Sequence, residues 1–408
     1  MIGAGIVGLS VAYHLVSEGM SVTVVDRDPA GDKASFGNAA GIAVTEVLPA
    51  SVPGLAWKVP GWLLDPLGPL AVRPAHAFKL LPWLWRFARA GRRDEVDRIG
   101  RALSALNSRV YRDLLPMLEA CGHSATIHHR GALTVYESPS GFERDAAEWA
   151  FKRRHGIETQ ALSGDEARDL EPALGPIVTN AVFTPQWSHI DDPKALVDTL
   201  RSWLQRERGV QIVDAEVGSL ATQGTQAAAY CTDGRHLSAD LVVVAAGVWS
   251  GALARSIGDR AVLESERGYN TTLPSPGVVL NREIIFAERK FVATPLSIGL
   301  RIGGAAEFGG LEAAANYKRS DALVRLASRY LPGLTPSDGT AWAGHRPTTP
   351  DSLPVIGRAR RHPNVIYAFG HGHLGLTQAA TTGRLVADLA AGRPDSVDLS
   401  PYSINRFN

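Results

Sequence analysis

Apolar side chains recur at helical spacing directly after a glycine-rich turn at the start of the chain. Residues Ile6 to Val16 place them on one helix face, and Gly19 follows where a helix usually ends. The valine-rich run from Val22 to Val25 then predicts a strand that ends on Asp26. The chain therefore opens as a turn, a helix and a strand, which is typical of a parallel α/β sheet.

The run from Leu241 to Val244 is apolar without alternation, which is typical of a strand buried on both faces of a parallel sheet. Because the first sheet breaks off after Asp26 and resumes near residue 190, we expect a discontinuous domain with an insertion. The remaining patterns predict strands over 132–136, 180–183, 209–213, 240–245, 283–286, 290–294, 299–304 and 365–369. They also predict three helices: one over 94–121 that is kinked at Pro116, one that is capped by Asp192 and runs to Leu204, and one that ends near Ala391.

Proline and tryptophan crowd the stretch between residues 49 and 85. Prolines disfavour regular sheet, so this stretch is expected to leave the first domain as an irregular excursion. The prolines are Pro49, Pro53, Pro60, Pro66, Pro69, Pro74 and Pro82, and the tryptophans are Trp57, Trp62, Trp83 and Trp85. We expect one domain from segments 1–48, 190–258 and 336–408, and a second from segments 49–189 and 259–335.

The first turn, which reads GAGIVG from Gly3 to Gly8, has the spacing of a dinucleotide-binding turn. The first glycine bends the chain, the second lets a pyrophosphate approach the backbone, and the third packs the helix against the strand. Asp26 lies where an acidic residue hydrogen-bonds ribose hydroxyls and repels a 2′-phosphate, so FAD or NAD is favoured over NADP. The alternative is a helix-opening turn that binds nothing. Only Met1 and Ile2 precede Gly3, so we expect the natural start to lie further upstream.

Composition excludes several classes of protein. The 408 residues suffice for two or three domains, and a net charge of +1 suggests neither a nucleic acid nor an anionic membrane as partner. Two cysteines, Cys121 and Cys231, cannot form a disulfide framework and suit a reducing compartment. Since Gly3 already belongs to a folded site, there is no room for a signal peptide, and no apolar run approaches the roughly 18 residues of a membrane span. We therefore expect a cytoplasmic protein.

Five ordered sequence blocks carry a resemblance that spans nearly the whole chain. They are GAGIVG at 3–8, SFGNAAGI at 35–42, DLVVVAAGVWS at 240–250, GHRPTTPDSLPVIGR at 344–358 and GHGHLGLT at 370–377. In this order they resemble the D-amino-acid oxidase family of FAD-dependent oxidoreductases. The motifs at 68–73, 81–84 and 267–269 look most like bacterial D-amino acid dehydrogenases and their D-proline and hydroxy-D-proline relatives. The resemblance implies an α/β (α+β) fold with a discontinuous Rossmann-like FAD-binding domain of the glutathione-reductase-like type and an inserted mixed β-sheet substrate domain.

The resemblance also implies which residues hold the cofactor. The first turn is expected at the pyrophosphate, Asp26 at the adenosine ribose, Val217 at the adenine and residues 35–41 along the flavin. A helix start after residue 371 is expected to point N–H groups at the pyrimidine edge of the flavin. The implied cofactor-binding residues are Gly3, Gly5, Ile6, Val7, Gly8, Asp26, Arg27, Ser35, Asn38, Ala39, Gly41, Val217, Ala246, Gly247, Gly372, His373, Leu374, Gly375, Leu376 and Thr377. No His or Cys occurs between residues 27 and 60, so we expect FAD to be held noncovalently.

Three residues are expected at the substrate. Arg346 matches the position that holds a substrate carboxylate, to which a guanidinium offers a bidentate fork. Tyr269 is expected to add a hydroxyl to the carboxylate or to cover the site, and His373 to line the flavin or substrate pocket. The alternatives are an ordinary surface arginine and a packing aromatic residue. His371 and His373 have no third ligand placed by the sequence, so no metal site is expected.

The implied reaction is oxidation of the CH–NH bond of a D-amino acid, or of a cyclic D-imino acid such as D-proline or hydroxy-D-proline, by hydride transfer to flavin N5. The alternatives are a glycine- or sarcosine-type oxidase and a noncatalytic FAD-binding subunit of an electron-transfer complex. Arg301 is matched to the place where some oxidases of the family carry an oxygen-activating lysine, so a quinone or an electron-transfer partner is expected as acceptor rather than oxygen. The tryptophan- and leucine-rich stretch at 80–87 is either core or, where exposed, a peripheral contact with the inner face of the membrane.

Overall fold

The computed structural model describes residues 1–54, 68–224, 226–394 and 396–407. Within them the α-helices are α1 (Ile6–Ser17), α2 (Ala77–Ala90), α3 (Arg93–Asn107), α4 (Val110–Ala120), α5 (Pro139–Arg144), α6 (Ala146–Arg154), α7 (Gly164–Leu170), α8 (Pro193–Arg208), α9 (Ser250–Ser256), α10 (Lys318–Tyr330) and α11 (Gly375–Ala390). The strands are β1 (Thr23–Asp26), β2 (Gly41–Ile42), β3 (Leu70–Val72), β4 (Ile127–His128), β5 (Ala132–Tyr136), β6 (Gln160–Ser163), β7 (Asn180–Thr184), β8 (Ser188–Ile190), β9 (Gln211–Asp214), β10 (Val217–Gln223), β11 (Gln226–Cys231), β12 (His236–Ala239), β13 (Val242–Val244), β14 (Glu264–Leu273), β15 (Glu283–Phe286), β16 (Phe291–Leu296), β17 (Gly299–Phe308), β18 (Thr340–Thr348), β19 (Val355–Arg358) and β20 (Val365–Phe369).

Ile2 lies at the centre of a parallel sheet that collects strands from distant parts of the chain. It bridges Val25 on one side and Val244 on the other. On the first side β1 pairs with β9, and on the second β13 pairs with β20, both in parallel. β19 adds an antiparallel edge beyond β20. The predicted resumption of this sheet after residue 190 is confirmed, because β9, β13 and β20 all follow that position.

A second, larger sheet is mixed. Its order is β18-β14-β17-β16-β15-β5-β7-β6, and β3 pairs with the far end of β17. The pair β15 and β5 is parallel, whereas the outer neighbours of both strands run antiparallel to them. Apolar side chains such as Leu133, Ile284 and Ile302 pack from this sheet against α10. β18 thus belongs to the large sheet, although the sequence pattern grouped residues 336–408 with the parallel one.

The first and last helices of the chain pack against each other and against the parallel sheet. Leu9 of α1 and Val386 of α11 share one buried cluster with Val24 and Ile366 of the sheet. The two helices approach closely at Gly383, where a Cβ would lie 2.6 Å from the carbonyl oxygen of Ser10. This packing brings the beginnings of both helices to the same side of the sheet.

The predicted helix over 94–121 is two helices, α3 and α4. The break falls at Ser108 and Arg109, and Pro116 lies inside α4. Ser108 Oγ donates to the carbonyl oxygen of Ala105 at 3.1 Å, and such a bond to the preceding turn competes with the helical backbone. Arg109 pairs with Asp113 of the next helix at 3.3 Å. The prediction of one continuous helix is therefore wrong, and the kink at Pro116, inside α4, stays a prediction.

The proline- and tryptophan-rich stretch contains more regular structure than expected. β3 joins the large sheet, and α2 runs through Pro82. Leu80 and Trp83 are buried on the inner face of α2, and Trp83 Nε1 donates to the carbonyl oxygen of Thr348 at 3.1 Å. Packing thus offsets the helical hydrogen bond that proline cannot make. The expected irregular chain is wrong for 70–72 and 77–90, and the part of that prediction over 55–67 lies outside the described residues.

Several local predictions match the structure. The strands over 132–136, 283–286 and 365–369 coincide with β5, β15 and β20. Asp192 caps α8 by accepting from the backbone N–H of Lys194 at 2.9 Å, whereas Gly209, with φ of 63°, ends that helix instead of starting the strand. The expected mixed α/β fold with several sheets is confirmed. In the described part of the chain, no helix has both the length and the apolar composition needed to cross a bilayer.

The substitution Gly383→Ala tests the close packing of α1 and α11. A Cβ there would lie 2.6 Å from the carbonyl oxygen of Ser10, so the helices would have to separate. Overpacking of this kind costs about 1–3 kcal/mol, and we expect a lower midpoint of thermal unfolding. Gly251→Ala is the control, because its Cβ would meet Leu263 at 3.8 Å, an ordinary contact distance. Equal midpoints for the two variants would contradict the close packing.

Candidate cofactor and substrate site

A cavity of about 1290 Å³ lies between the parallel sheet and the large mixed sheet. It exceeds the roughly 300–1,000 Å³ that is usual for a single small molecule. Its wall draws on the first turn, the loop 35–41, the start of β10, the turn after β13, β18 and the turn 372–376. The cavity therefore joins both ends of the chain and has room for a large ligand together with a smaller one.

Close backbone contacts shape the first turn. Gly3 has φ of 105°, and a Cβ at this position would overlap the carbonyl oxygen of Ala245 in the turn after β13. A Cβ at Gly8 would overlap the carbonyl oxygen of Gly3, so α1 lies directly against the turn. Gly8 does not line the cavity. It packs α1 against the turn, which is the role that the motif gives to its third glycine.

The N-terminus of α1 opens on the cavity. Gly5 stands at the N-cap without a side chain to cap the helix, and the first turn holds no acidic residue. The backbone N–H of Ile6 donates to Ser35 Oγ at 2.9 Å. Because the N-terminus of a helix carries partial positive charge, this arrangement favours an anion in the cavity beside Gly5.

Asp26 closes the second strand beside the first turn. Its Oδ2 accepts from the backbone N–H of Ala4 at 2.7 Å, and Lys33 Nζ lies 3.0 Å from Oδ1. The neighbouring Arg27 guanidinium lies 3.9 Å from the ring centroid of Trp249, and both residues line the cavity. The carboxylate is thus held at the cavity edge, where the sequence motif places the ribose contact.

The loop 35–41 is held by its own side chains and by one arginine from the large sheet. Asn38 Oδ1 accepts from the backbone N–H of Ala40 at 2.8 Å, and Ala40 adopts the left-handed conformation with φ of 66°. Arg301 Nη1 donates to the carbonyl oxygens of Phe36 and Asn38 at 3.3 and 2.7 Å. Arg301 is buried behind the loop and does not line the cavity. In this structure Arg301 supports the loop 35–41, and its match to the oxygen-reacting position stays a prediction.

The last glycine-rich turn faces the cavity from the opposite end of the chain. Gly372 has φ of 54°, and α11 then begins at Gly375 with neither a side-chain cap nor an acidic residue in its first turn. His371 is buried, its ring nitrogen lies 2.9 Å from Thr382 Oγ1, and burial lowers its pKa to about 3. Thr377 Oγ1 accepts from the backbone N–H of Ala43 at 2.9 Å. Thr377 therefore ties the chain just after the loop 35–41 to α11 from outside the cavity.

Most of the residues assigned to the cofactor from the sequence line this one cavity. Those on its wall are Gly3, Gly5, Ile6, Val7, Asp26, Arg27, Ser35, Asn38, Ala39, Gly41, Val217, Ala246, Gly247, Gly372, His373, Gly375 and Leu376. Gly8, Leu374 and Thr377 lie behind the wall. Over the described ranges, no group of three or more His, Cys, Asp and Glu side chains is arranged to hold a metal ion.

Arg346 lies on the cavity wall in β18, opposite Glu266 of β14. Its Nη1 donates to Glu266 Oε1 at 2.7 Å and to the carbonyl oxygen of Ala305 at 3.0 Å. Gly268 leaves room for the guanidinium, because a Cβ there would overlap Nη2. The two hydrogen bonds at Nη1 thus hold the planar guanidinium of Arg346 at the cavity wall by one edge.

Tyr269 belongs to the cavity wall, but its side chain is buried and its hydroxyl is engaged by other residues. The hydroxyl donates to Glu307 Oε2 at 3.1 Å and accepts from the backbone N–H of Asn316 at 3.0 Å. Glu307 is buried among Arg73, Arg267 and Arg319. In this structure the hydroxyl of Tyr269 is therefore not offered to the cavity.

His373 projects into the cavity between two ion pairs. Loss of hydration at the cavity wall lowers its pKa, and the Arg346 and Lys152 cations also lower it, against the opposing effect of Glu46 and Glu266. The imidazole is therefore neutral near pH 7. Arg346, Glu266 and His373 come together, as the sequence predicted for the arginine and the histidine.

Sequence reasoning missed a group of polar residues on the wall beside Gly41. Lys152 of α6 is buried, with Nζ 2.8 Å from Glu46 Oε1 and 3.5 Å from Glu148 Oε1. Glu283 opens β15 and is 2% exposed. The sequence feature that could have identified Glu283 is its charge at the start of the apolar run from Glu283 to Phe286, because a charged residue is unusual in a buried strand.

A family model described as FAD dependent oxidoreductase, DAO, matches residues 1–389. The chain belongs to the DAO family. Proteins of similar sequence include a D-amino-acid oxidase of Bradyrhizobium diazoefficiens, 37% identical over 100% of this chain and 98% of the relative. A D-amino acid dehydrogenase 2 of Ralstonia nicotianae is 33% identical over 100% of this chain and 99% of the relative. The crystal structure of glycine oxidase from Geobacillus kaustophilus has the same fold, with a TM-score of 0.75, 20% identity and coverage of 99% and 97% of the two chains.

Membership of the DAO family makes this protein an FAD-dependent oxidoreductase and FAD its cofactor. The described residues fit that cofactor, because two helix N-termini without an acidic residue in the first turn, together with the glycines Gly3 and Gly5, face one cavity. The alternative of a noncatalytic subunit finds no support, since the related sequences are named as enzymes.

The substitution Arg301→Met tests whether this arginine holds the loop 35–41 of the DAO protein. The change leaves the carbonyl oxygens of Phe36 and Asn38 without their charged donor, a loss of roughly 1–3 kcal/mol. We expect a lower midpoint of thermal unfolding and more FAD lost during gel filtration. Arg325→Met, on the exposed face of α10, is the control. FAD retention equal to that of the control would show that the loop does not depend on Arg301.

Proposed function

We propose that this DAO protein oxidises the CH–NH bond of a D-amino acid or of a cyclic D-imino acid of the proline or hydroxyproline type, with Arg346 holding the substrate carboxylate. Bound FAD supplies the acceptor for the hydride that leaves Cα. The observation that carries the proposal is the Arg346 guanidinium on the cavity wall beside a neutral His373. The names of the related D-amino-acid oxidase and dehydrogenase support the same substrate class.

Arg346 is suited to orient a carboxylate. Glu266 and Ala305 both engage Nη1, whereas Nη2 lies over Gly268 in the cavity wall. A guanidinium fixed by one edge keeps its other donors in one plane, which favours two-point binding of a carboxylate. The pairing with Glu266 also offsets much of the positive charge when no substrate is present. Orientation of Cα is the main task of the protein in this reaction.

Neutral side chains favour the reactive form of the substrate. A hydride leaves Cα once the amine is neutral, so a cation beside the amine must be avoided. His373 is neutral near pH 7 because loss of hydration at the cavity wall lowers its pKa. The hydroxyl of Tyr269 is bound to Glu307 and so adds no donor to the site.

We propose the segments 1–48, 190–258 and 336–408 as the FAD-binding domain and 49–189 and 259–335 as the substrate-binding domain. The pairing of β1, β9, β13 and β20 around Ile2 supports the first assignment. The large sheet supports the second, with β18 as a strand that crosses from the first domain to carry Arg346.

Substrate and acceptor are tested together with purified enzyme. We expect FAD to be released by acid precipitation and the anaerobic flavin band to bleach with D-amino acids, D-proline or hydroxyprolines. Bleaching by glycine or sarcosine alone would favour the alternative oxidase. Rapid formation of one molecule of hydrogen peroxide for each molecule of substrate oxidised, in air-saturated buffer, would show that oxygen is the acceptor, as in an oxidase.

The substitution Arg346→Leu removes the proposed carboxylate ligand. Hydrogen bonds to a charged group are worth about 1.5–3 kcal/mol, so we expect kcat/KM to fall roughly 10- to 150-fold, chiefly through KM, with FAD retained. Gly268→Ala tests the same contact while residue 346 stays arginine. The added Cβ would overlap Nη2 and displace the guanidinium, so this variant should raise KM as well. Gly251→Ala is the control for a harmless Gly→Ala change. Unaltered KM in both site variants would remove Arg346 from the substrate.

The outer face of α2 supports a peripheral contact with a membrane, where a quinone acceptor would be found. Phe78, Leu81 and Trp85 recur on that face and are 85%, 55% and 58% exposed. Lys79 and Arg89 flank them on the same helix, and further arginines follow at 92 and 93. Apolar side chains bordered by basic ones suit the interface of an anionic bilayer. The inner face of α2 lines the cavity with Trp83, so this helix would lie between the bilayer and the site.

The double substitution Phe78→Glu with Trp85→Glu tests the membrane contact. Burying one large apolar side chain is worth about 1.5–3 kcal/mol, so we expect vesicle binding to fall at least tenfold. The measurement is cosedimentation with phosphatidylglycerol-rich vesicles, with salt expected to weaken binding of the unaltered protein. Val279→Glu, at a residue 81% exposed away from α2, is the control. Wild-type binding that is absent, or that survives the double change, would refute the contact.

A further inference from the structure

The wall of the cavity beside Gly41 carries a carboxyl group that the proposed reaction does not use. Glu283 begins β15, pairs with Ala132 of β5 in parallel and lines the cavity. A Cβ at Gly41 would lie 2.6 Å from Glu283 Oε2 and 3.2 Å from Oε1. The carboxyl group therefore lies directly against the backbone of the loop that the sequence assigns to the flavin.

The hydrogen bond from Trp187 fixes the orientation of this carboxyl group. Trp187 Nε1 donates to Glu283 Oε2 at 2.9 Å, and an indole nitrogen is a donor only. Oε2 is therefore an acceptor in this contact. A protonated carboxyl has one O–H, and its carbonyl oxygen is the better acceptor, so we place the O–H on Oε1, the oxygen that Trp187 does not engage.

The surroundings keep Glu283 protonated at neutral pH. Burial raises its pKa to about 8, the nearby Glu46 carboxylate raises it as well, and the hydrogen bond from Trp187 lowers it. The other charged or titratable groups on this side of the cavity are Lys152, Glu148 and Asp145 near α6, Tyr136 of β5, Lys290 after β15 and His373. Glu46 itself stays ionised, because Lys152 holds its pKa below the usual value despite burial. The wall thus presents one neutral acid among paired charges.

We propose that Glu283 is a neutral hydrogen-bond donor to the flavin ring, with Oε1–H beside Gly41 directed at an acceptor atom of bound FAD. The assignment rests on the proposed placement of the flavin along residues 35–41. Ionisation of Glu283 places a negative charge against the ring and removes the donor. The two-electron reduction of FAD, which adds negative charge to the ring system, then becomes less favourable.

The first test follows the flavin in the resting FAD-loaded enzyme without substrate. We expect its visible absorption spectrum and its midpoint potential to show a transition near pH 8 in a titration from about pH 6.5 to 9.5. Glu283→Gln keeps the shape, accepts from Trp187 through its amide oxygen and donates through its amide nitrogen, but cannot ionise. This variant should therefore lack the transition and keep the low-pH spectrum of the wild type throughout.

Two further variants shift the transition in opposite directions. Trp187→Phe removes the hydrogen bond that stabilises the ionised form, so the midpoint should rise. Glu46→Gln removes a nearby negative charge and leaves Lys152 less compensated, so the midpoint should fall. FAD content and unfolding midpoint are measured for each variant. A purely structural Glu283 predicts no such pair of opposite shifts.

The outcomes separate this proposal from the proposed function. A wild type without a transition, or a Glu283→Gln variant that retains it, overturns the role of Glu283. Failure of D-amino and D-imino acids to bleach the flavin, with the Glu283 transition intact, overturns the substrate assignment alone.

Discussion

The close backbone contact at the first turn is the constraint on which the cofactor site depends. With no side chain at Gly3 or Gly8, α1 can lie against the turn while Ile2 bridges β1 and β13. Gly383 gives the same freedom to α11, which packs against α1. Both helices consequently start at one cavity, and neither has an acidic residue in its first turn. Their dipoles supply positive potential without a mobile cation, which suits a pyrophosphate and an electron-rich ring.

Charges on the cavity wall come mostly in pairs. Arg346 is joined to Glu266 at 2.7 Å and Lys152 to Glu46 at 2.8 Å. An unpaired charge in such a site costs several kcal/mol in lost solvation, so the pairs limit the cost of building a polar cavity. In the proposed function, a substrate carboxylate shares Arg346 with Glu266. Binding therefore depends on geometry more than on net charge, which favours a ligand whose carboxylate and Cα are correctly spaced.

Local patterns predicted those parts of the fold and site that depend on local physics. The strand from Ala132 to Tyr136 and the cap at Asp192 follow from side-chain periodicity and short-range hydrogen bonds. The wall beside Gly41 does not, because it depends on β15 pairing in parallel with β5 from 150 residues earlier in the chain. The contact of Arg301 with the loop 35–41 was missed for a related reason, since a strand position identified by matching motifs does not say what its side chain contacts. Likewise, α2 forms through Pro82 because tertiary packing outweighs local propensity.

An irregularity in β17 shows how the large sheet shapes the substrate end of the cavity. The register between β14 and β17 shifts between Arg267 and Tyr269, and Ala305 opposite the shift has φ of 57°. Left-handed backbone at alanine is strained, and bulges of this kind commonly re-aim groups beside a site. Here the carbonyl oxygen of Ala305 accepts from Arg346 Nη1 at 3.0 Å, on the same nitrogen that donates to Glu266. With a regular ladder that carbonyl would be committed to a neighbouring strand. The bulge therefore converts a backbone group of the sheet into a support for the guanidinium.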